Sequence, residues 1–357
     1  MSDSDTTQKP RRELHELLAV RWRPRLVTVL GVLILVLIGI WLGVNLLKDP
    51  TEFFQIAIIG LTNGSVYALV ALGYTLVYGI LQLINFAHGD VFALGGLVSA
   101  TLILDLFDVT SSSSPQAIAL AVGGSLLIAV AFASTLNTTV ELVGYRRLRN
   151  APRLAPLITA VGMSFILQNV GLYFWGPAYT SIDPLISGEP AFTIGGVEFQ
   201  WDNLTMIALT VPLLLALTWL VTSTRQGKAM RATSQDMEAA AMMGINVNRT
   251  ISVTFFIAGA LAAVAGLVFL LEYNIRYDTG FELGLIAFTA AVLGGIGNLA
   301  GAVLGALMIG LIEQFNEGLE LYSPGSDWTR SIVFGILIAV LVFRPEGILG
   351  ERTPEGA

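Results

Sequence analysis

The stretch FFQIAIIGLTNGSVYALVALGYTLVYGI, residues 53–80, contains no Asp, Glu, Lys or Arg. A helix needs about 20 apolar residues to cross the hydrocarbon core of a bilayer, because each residue advances it by about 1.5 Å. The stretch is long enough for one such crossing. It therefore predicts a membrane-spanning helix.

Similar apolar runs recur along the 357 residues, of which 54 % are hydrophobic and 13 % are charged. They predict an all-α, polytopic integral membrane protein with nine or ten membrane segments, the run at 283–296 being too short to be certain. The remaining runs are residues 26–47, 90–106, 116–140, 154–175, 205–224, 250–272, 300–316 and 329–343.

The positions of the charged residues predict the orientation. If the N-terminus is cytoplasmic, all of the 19 Lys and Arg residues lie inside except Lys48, Arg276 and Arg330. Membrane proteins keep an excess of Lys and Arg in their cytoplasmic loops. We therefore predict that both termini are cytoplasmic, although the net charge of the chain is −7.

The N-terminal residues 1–50 form a segment of their own. We expect an amphipathic surface helix over residues 11–25 and an extra membrane span over residues 26–47. The basic flank of this span also resembles that of a signal peptide. The span ends in NLLKDP without a small-residue cleavage site, however, and it is long enough to cross, so we predict that it is retained.

Several kinds of chemistry are missing from the sequence. The chain has no cysteine and two histidines, which excludes thiolate and histidine-cluster metal sites. Gly227-Lys228 is followed by Ala229 and lacks the upstream glycine of a phosphate-binding loop. We therefore expect no enzyme activity and no cofactor on this chain.

Carboxylates are expected near the ends of the spans and not near the middle, since Asp90, Glu141 and Glu313 fall close to span ends. A proton-driven carrier normally needs a buried ionisable group inside the membrane. Secondary transport is therefore disfavoured.

Uncharged polar side chains remain within the spans. Tyr67, Tyr74 and Tyr78 share one helical face, which suits either hydrogen bonding between helices or the lining of a path for a small polar solute. His88 falls at the cytoplasmic end of a span, where a lone histidine is more often an interfacial or packing residue. The candidate path residues are Asn63, Tyr67, Tyr74, Asn85, His88 and Gln168.

Two apolar stretches, residues 60–79 and 294–310, are rich in glycine. In the second, Gly297, Gly301 and Gly305 recur every four residues, as on a helix face that lets another backbone approach closely. The same composition also suits discontinuous helices whose ends meet a solute at the membrane midplane. We expect some helices to be discontinuous.

The longest loop on the side opposite the basic loops contains FTIGGVEF, residues 192–199. Apolar side chains alternate around Gly195-Gly196, which predicts a β-hairpin with a two-residue turn. The hairpin is either a tie between helices or a docking element for an external partner.

A polar, small-residue island, RATSQDMEAAAMMGINVNR, residues 231–249, interrupts the apolar runs. Thr233 and Asp236 have the spacing of a capping box, and Gly244 supplies a left-handed stop, which predicts a short helix over residues 234–243 outside the membrane. Small and flexible side chains suit insertion into a groove of another protein.

The chain resembles the LivH-type permease subunits of branched-chain amino acid ABC importers over about residues 51–350, leaving a cytoplasmic tail at 351–357. The family's coupling motif, Glu-Ala-Ala followed by glycine, falls on Glu238, Ala239, Ala240 and Gly244, and we count the adjoining Arg231 and Asp236 with this candidate site. The matching stretches are GSVYALVALGYTLVYGILQLINFAHGD, LITAVGMSFILQN, EAAAMMGINVNRTISVTFFIAGALAAVAG, AFTAAVLGGIGNLAGAVLGALMIG and RPEGILG.

The resemblance implies a permease subunit in the cytoplasmic (inner) membrane of a bacterium. It implies as partners a second related permease subunit, two ATPase subunits that bind ATP and Mg, and an external solute-binding protein. The implied solute is leucine, isoleucine or valine, with urea or short-chain amides as the alternative solutes. An ion-coupled secondary carrier is the alternative class of transporter. Membrane lipid is a partner and nucleic acid is not. The extra N-terminal span departs from the family pattern.

Overall fold

A computed structural model describes residues 29, 31–34, 36–149, 151–152, 154–185, 189–344 and 346–350. The predicted surface helix at 11–25 and the tail at 351–357 lie outside the described residues. Within them, nine helices are long and apolar enough to cross a membrane, and one apolar helix is shorter. The prediction of an all-α polytopic membrane protein is confirmed.

We number the helices α1 to α12 in chain order. Of the predicted spans, residues 154–175 match a helix residue for residue, and the shortest predicted run corresponds to the shorter apolar helix, α10. The helices are α1 Gly31–Lys48, α2 Pro50–Leu81, α3 Ala87–Thr101, α4 Pro115–Val140, α5 Leu154–Trp175, α6 Trp201–Ser223, α7 Arg225–Gln235, α8 Met237–Met242, α9 Val247–Glu272, α10 Thr279–Gly294, α11 Leu299–Gly318 and α12 Ser326–Phe343. Single π-helical turns extend α3 over Leu102–Leu106 and α4 over Glu141–Tyr145.

Helices α2, α3 and α9 form the centre of the bundle. Their most apolar windows are 78 %, 67 % and 72 % buried, compared with 22 %, 17 % and 11 % for α5, α6 and α12. The outer helices expose large apolar side chains, such as Ile158, Leu215 and Leu341. A surface of this kind is stable only against lipid or another apolar surface.

Glycine packing joins α2 to α11. A Cβ atom on Gly64 would lie 2.7 Å from the Leu307 Cα, and one on Gly60 would lie 3.0 Å from the Gly310 carbonyl oxygen. Because α2 is continuous from Pro50 to Leu81, the discontinuous-helix interpretation of residues 60–79 is wrong and the packing interpretation is right.

The second glycine-rich stretch needs a correction. Gly297 has a φ of +95° and lies in the turn between α10 and α11, so it does not share a helix face with Gly301 and Gly305. A side chain on Gly305 would collide with α10 at Ala290. Four-residue spacing therefore indicated the packing face for two of the three glycines.

Discontinuity occurs instead where α3 and α10 begin. The His88 ring lies against Gly73, whereas α2 continues eight residues further to Leu81, about 12 Å at about 1.5 Å per residue. The backbones of Gly89 and Gly280, in the first turns of α3 and α10, touch each other. Both helices therefore begin inside the bundle, each after a non-helical segment, at 82–86 and 273–278.

The predicted hairpin is confirmed. Strands β1 Pro190–Ile194 and β2 Val197–Gln200 pair antiparallel, and Gly195 and Gly196 form the turn with φ of +61° and +88°. The Gln55 side chain donates to the Glu198 carbonyl (3.1 Å) and accepts from its N–H (2.9 Å), which ties the hairpin to α2. We call this end of the bundle the hairpin end and the opposite end the α8 end.

Candidate translocation and coupling site

The candidate coupling helix, α8, begins later and is shorter than predicted. Asp236 is its N-cap, and the carboxylate accepts from the N–H groups of Glu238 (2.8 Å) and Ala239 (2.9 Å). Thr233 does not cap it, because this residue is buried within the last turn of α7. The prediction of a capping box and of a helix over 234–243 is therefore wrong, since the cap residue splits the island into two helices.

The end of α8 matches the prediction. Gly244 has a φ of +85°, and the N–H of Ile245 donates to the Ala240 carbonyl (3.0 Å), which is the bond that closes a left-handed helix end. Ala240 is 4 % exposed, whereas Met242 and Met243 are 82 % and 83 % exposed. Among the described residues, little covers this helix.

Arg231 has a positioning contact within the chain. Its guanidinium donates to the Val221 and Thr222 carbonyls at the end of α6. The last carbonyls of a helix lack intrahelical partners and attract cations. Arg231 therefore fixes α7 against α6 and holds the segment that leads to α8.

The candidate path residues fall into two groups. At the hairpin end, the Tyr67 hydroxyl donates to the Glu313 carboxylate (2.5 Å) and the Tyr273 hydroxyl donates to the Asn63 amide oxygen (2.7 Å). Tyr67 and Asn63 are each 7 % exposed.

A cavity of about 400 Å³ adjoins this group between α10, α11 and α12. The Arg330 guanidinium pairs with Glu282 at its wall, and Glu317 accepts from the Thr329 hydroxyl (2.8 Å). Tyr67 does not line the cavity, but its hydroxyl is bonded to Glu313, which does. The charged residues of the lining are Glu282, Glu313, Glu317, Asp327 and Arg330.

The second group lies where α3 begins. The Tyr74 and His88 rings meet edge to face with centroids 4.9 Å apart, and both side chains are buried. Asn85, in the segment 82–86, is 1 % exposed and accepts a hydrogen bond from the Tyr145 hydroxyl (3.0 Å). His88 is therefore interior to the bundle and not interfacial.

Gln168 is apart from both groups in sequence but approaches α3. Its amide donates to the Ser164 hydroxyl (3.1 Å), and both side chains face the Asp90 carboxylate. Asp90 is the fourth residue of α3, as its place near a span end implied, but α3 begins inside the bundle and Asp90 is fully buried. A buried carboxylate is therefore present, contrary to the expectation from the sequence.

Sequence reasoning placed Glu313 near a span end without giving it a role, and it missed Tyr273 and the buried residues Asn137 and Tyr145. Asn137 could have been found, because it is a strong hydrogen-bonding group in the apolar run 116–140. Glu313 and Tyr273 sit near helix ends, where polar residues are common. Their partners come from α2, so the sequence alone gave no reason to single them out.

The sequence matches a family model described as the permease component of the branched-chain amino acid transport system, over residues 56–342. It is 39 % identical over 308 residues to the high-affinity branched-chain amino acid transport system permease protein BraD of Pseudomonas aeruginosa, covering 85 % of this chain and 98 % of BraD. The corresponding protein LivH of Escherichia coli K12 is 39 % identical over 309 residues, covering 85 % of this chain and 97 % of LivH.

A shorter match links the chain to the autoinducer 2 import system permease protein LsrC of Photorhabdus laumondii. It is 34 % identical over 151 residues, covering 40 % of this chain and 44 % of LsrC. The matches to BraD and LivH span nearly the whole of those proteins, and the family model covers the bundle from α2 to α12. The chain therefore belongs to the family of permease components of branched-chain amino acid transport systems.

Proposed function

We propose that this chain is the permease subunit of an ABC importer that carries leucine, isoleucine or valine across the cytoplasmic membrane. The observation that carries the proposal is the 39 % identity to BraD and LivH over 98 % and 97 % of their lengths. Both termini are cytoplasmic in this proposal, which places the α8 end inside and the hairpin end outside.

The proposed partners are a second related permease subunit, two ATPase subunits that bind ATP and Mg, and an external solute-binding protein. The exposure of Met242 and Met243 supports a protein partner at the α8 end, because two adjacent large apolar side chains gain free energy when a partner covers them. The proposed coupling residues are Arg231, Asp236, Glu238, Ala239, Ala240 and Gly244.

We assign residues 51–350 to the permease domain, residues 1–50 to an N-terminal extension with α1, and residues 351–357 to a tail. The proposed path runs between the cavity at the hairpin end and the start of α3. Its residues are Asn63, Tyr67, Tyr74, Asn85, His88 and Gln168. In the structure five of these side chains are buried and Gln168 is half-buried, as expected of a closed path.

Two alternatives remain to be tested against this proposal. Urea or short-chain amides are alternative solutes. The partial match to LsrC, which is named for a different solute, is the reason to test the choice of solute. An ion-coupled carrier gains some support from the buried Asp90 carboxylate.

Proteoliposomes that hold the permease pair, the ATPases and the solute-binding protein test the proposal directly. We expect uptake of labelled leucine that requires ATP and that excess unlabelled urea does not reduce. Uptake by this chain alone under a proton or sodium gradient, without ATP, would establish the carrier instead.

The docking of α8 is tested by Glu238→Lys. Glu238 is exposed, so the variant should insert and fold normally but lose the ATPase subunits during purification. The matched control is Glu198→Lys on the exposed hairpin at the other end of the bundle, which should retain them.

A further inference from the structure

A π-helical turn, Glu141–Tyr145, ends α4 next to the start of α9. Such turns hold one extra residue in the hydrogen-bond ladder of a helix. They are rare in proteins as a whole, but many of those that occur lie at functional sites. Helix α9 begins at Val247, three residues after Gly244, the stop of α8. The π-turn therefore lies beside the connection that leaves the proposed coupling helix.

Glu141, the first residue of the turn, is fully buried and holds the start of α9. Its carboxylate accepts from the guanidinium groups of Arg146 (3.2 and 3.0 Å) and Arg149 and from the Ser252 hydroxyl (2.9 Å). Arg149 also donates to the Asn248 amide oxygen (2.7 Å). Two residues in the first turns of α9 are thus fixed to the π-turn by charge-assisted bonds.

Tyr145, the last residue of the turn, is also fully buried. Its hydroxyl donates to Asn85 (3.0 Å), and the Asn85 amide donates to Asn137 (3.3 Å). Asn137 in turn donates to the Phe255 carbonyl of α9 (2.7 Å). Asn85 belongs to segment 82–86, the break after which α3 begins inside the bundle.

We propose that the π-turn Glu141–Tyr145 is the mechanical link between the coupling segment and the helix break at 82–86. Glu141 and Tyr145 are positioning residues for transport, one holding the start of α9 and the other holding Asn85. The inference rests on the proposed function, because it requires ATPase subunits that move α8.

The arrangement suits transmission for a physical reason. The length of a hydrogen bond can change by only a few tenths of an ångström before the bond is lost. A larger displacement of the first turn of α9 therefore either carries Glu141 with it or breaks a buried ionic cluster. Breaking the cluster leaves buried charges without partners and is the costlier outcome. A displacement of α9 is therefore passed four residues along the π-turn to the Tyr145 hydroxyl and to Asn85.

Tyr145→Phe tests the link, because it removes a single hydroxyl and leaves the ring in place. We expect the ATPases to remain bound and ATP to be hydrolysed, while the number of solute molecules carried per ATP falls about fivefold, the factor for one lost buried hydrogen bond. The matched control is Thr254→Val, which removes another buried hydroxyl, one that bonds within α9 to Thr250 and lies outside the link.

A second readout separates positioning from plain stability. The chain has no cysteine, so Gln82→Cys, an exposed position in the break, gives a unique site for a spin label. The label should change mobility when ATP binds to the assembled complex and should lose that response in Tyr145→Phe but not in Thr254→Val.

An unchanged ratio of solute to ATP together with an unchanged label response in Tyr145→Phe would overturn the link and leave the proposed function standing. If the wild-type chain retains no ATPase subunits, both the proposed function and the link are wrong.

Discussion

Two regions of the molecule are built from small residues and use them in opposite ways. Along the contact of α2 with α11, Gly60, Gly64 and Gly310 let two backbones of the same chain touch. In α8, Ala239 and Ala240 stand between an exposed glutamate and two exposed methionines, and Ala240 alone is buried among the described residues of that helix. The first region has its partner within the chain, whereas the described residues cover little of the second.

The comparison shows that composition alone does not tell packing from docking. Membrane helices associate through close backbone contact because lipid offers no hydrophobic drive between them. Outside the membrane, a helix with so little buried surface gains little stability from its own chain. The proposed partner would account for the shape of α8, and the following substitutions test this region by region.

The largest effect is expected from Gly64→Val. Its Cβ would lie 2.7 Å from the Leu307 Cα, a backbone atom that cannot move aside, so α2 and α11 must separate. Overpacking of this kind costs about 3 kcal/mol. Thermal unfolding in detergent should show a large loss of stability.

The control for this prediction is Gly335→Val in α12, where a Cβ would meet nothing within 4 Å. That variant should unfold close to the wild-type temperature. Equal stability of the two variants would mean that the α2–α11 contact is looser than the structure shows.

In the coupling region, Gly244→Val should damage coupling more than folding. A Cβ here would meet nothing within 4 Å, but the φ of +85° is costly for a β-branched residue, about 1–2 kcal/mol. The strain misdirects α8 without touching the membrane bundle. We expect reduced co-purification of the ATPases and reduced solute-stimulated ATP hydrolysis.

Gly244→Asn is the matched variant, because asparagine tolerates the left-handed conformation. It should recover most of the coupling. Full coupling in Gly244→Val would make the α8 region a solvated connector and remove the contrast with the glycine contact of α2 and α11.

A smaller effect is expected from Tyr67→Phe. The Tyr67 ring packs within the bundle, as the glycines do, while its hydroxyl donates to Glu313, which lines the cavity. Loss of a hydrogen bond to a carboxylate should lower the uptake rate several-fold without affecting assembly. Tyr173→Phe, on a ring that is 83 % exposed, should leave uptake unchanged. Unchanged uptake in both Tyr67→Phe and Tyr74→Phe would favour helix packing over a path.

The sequence was sufficient for the spans, since length and hydropathy are local properties. Residues 154–175 and the turn at Gly195-Gly196 were predicted at their observed positions. It was not sufficient for the start of α3, because Asn85 and His88 lie deep in the bundle only through contacts with α2 and α4. Depth is a tertiary property, and hydropathy does not report it.

The candidate site divides in the same way. Gly244 was predictable because its conformation is a local backbone requirement. The split of the island at Asp236 was not, since both Thr233 and Asp236 are good N-caps and burial of Thr233 against the bundle decided between them. The Glu141 cluster joins residues from α4 and α9 that are more than 100 apart in the sequence.

The smallest effect is expected from Asn45→Ala in α1, which lies before the part of the chain that matches the family model. The Asn45 amide accepts from the Leu321 N–H (3.3 Å) and donates to its carbonyl (3.4 Å), and the Trp41 indole donates to the same carbonyl (2.6 Å). These bonds attach one end of α1 to the loop between α11 and α12. Because both bonds from Asn45 to the loop are long and Trp41 remains, the variant should lose about 1 kcal/mol of stability. The measurement is the thermal unfolding temperature of Asn45→Ala compared with that of the control Leu47→Ala, whose side chain is 85 % exposed. If α1 is retained and holds this loop, Asn45→Ala should unfold at the lower temperature of the two variants. The intact mass of the purified chain should then also include residues 31–48. Equal unfolding temperatures would mean that these bonds from Asn45 do not hold α1 to the loop.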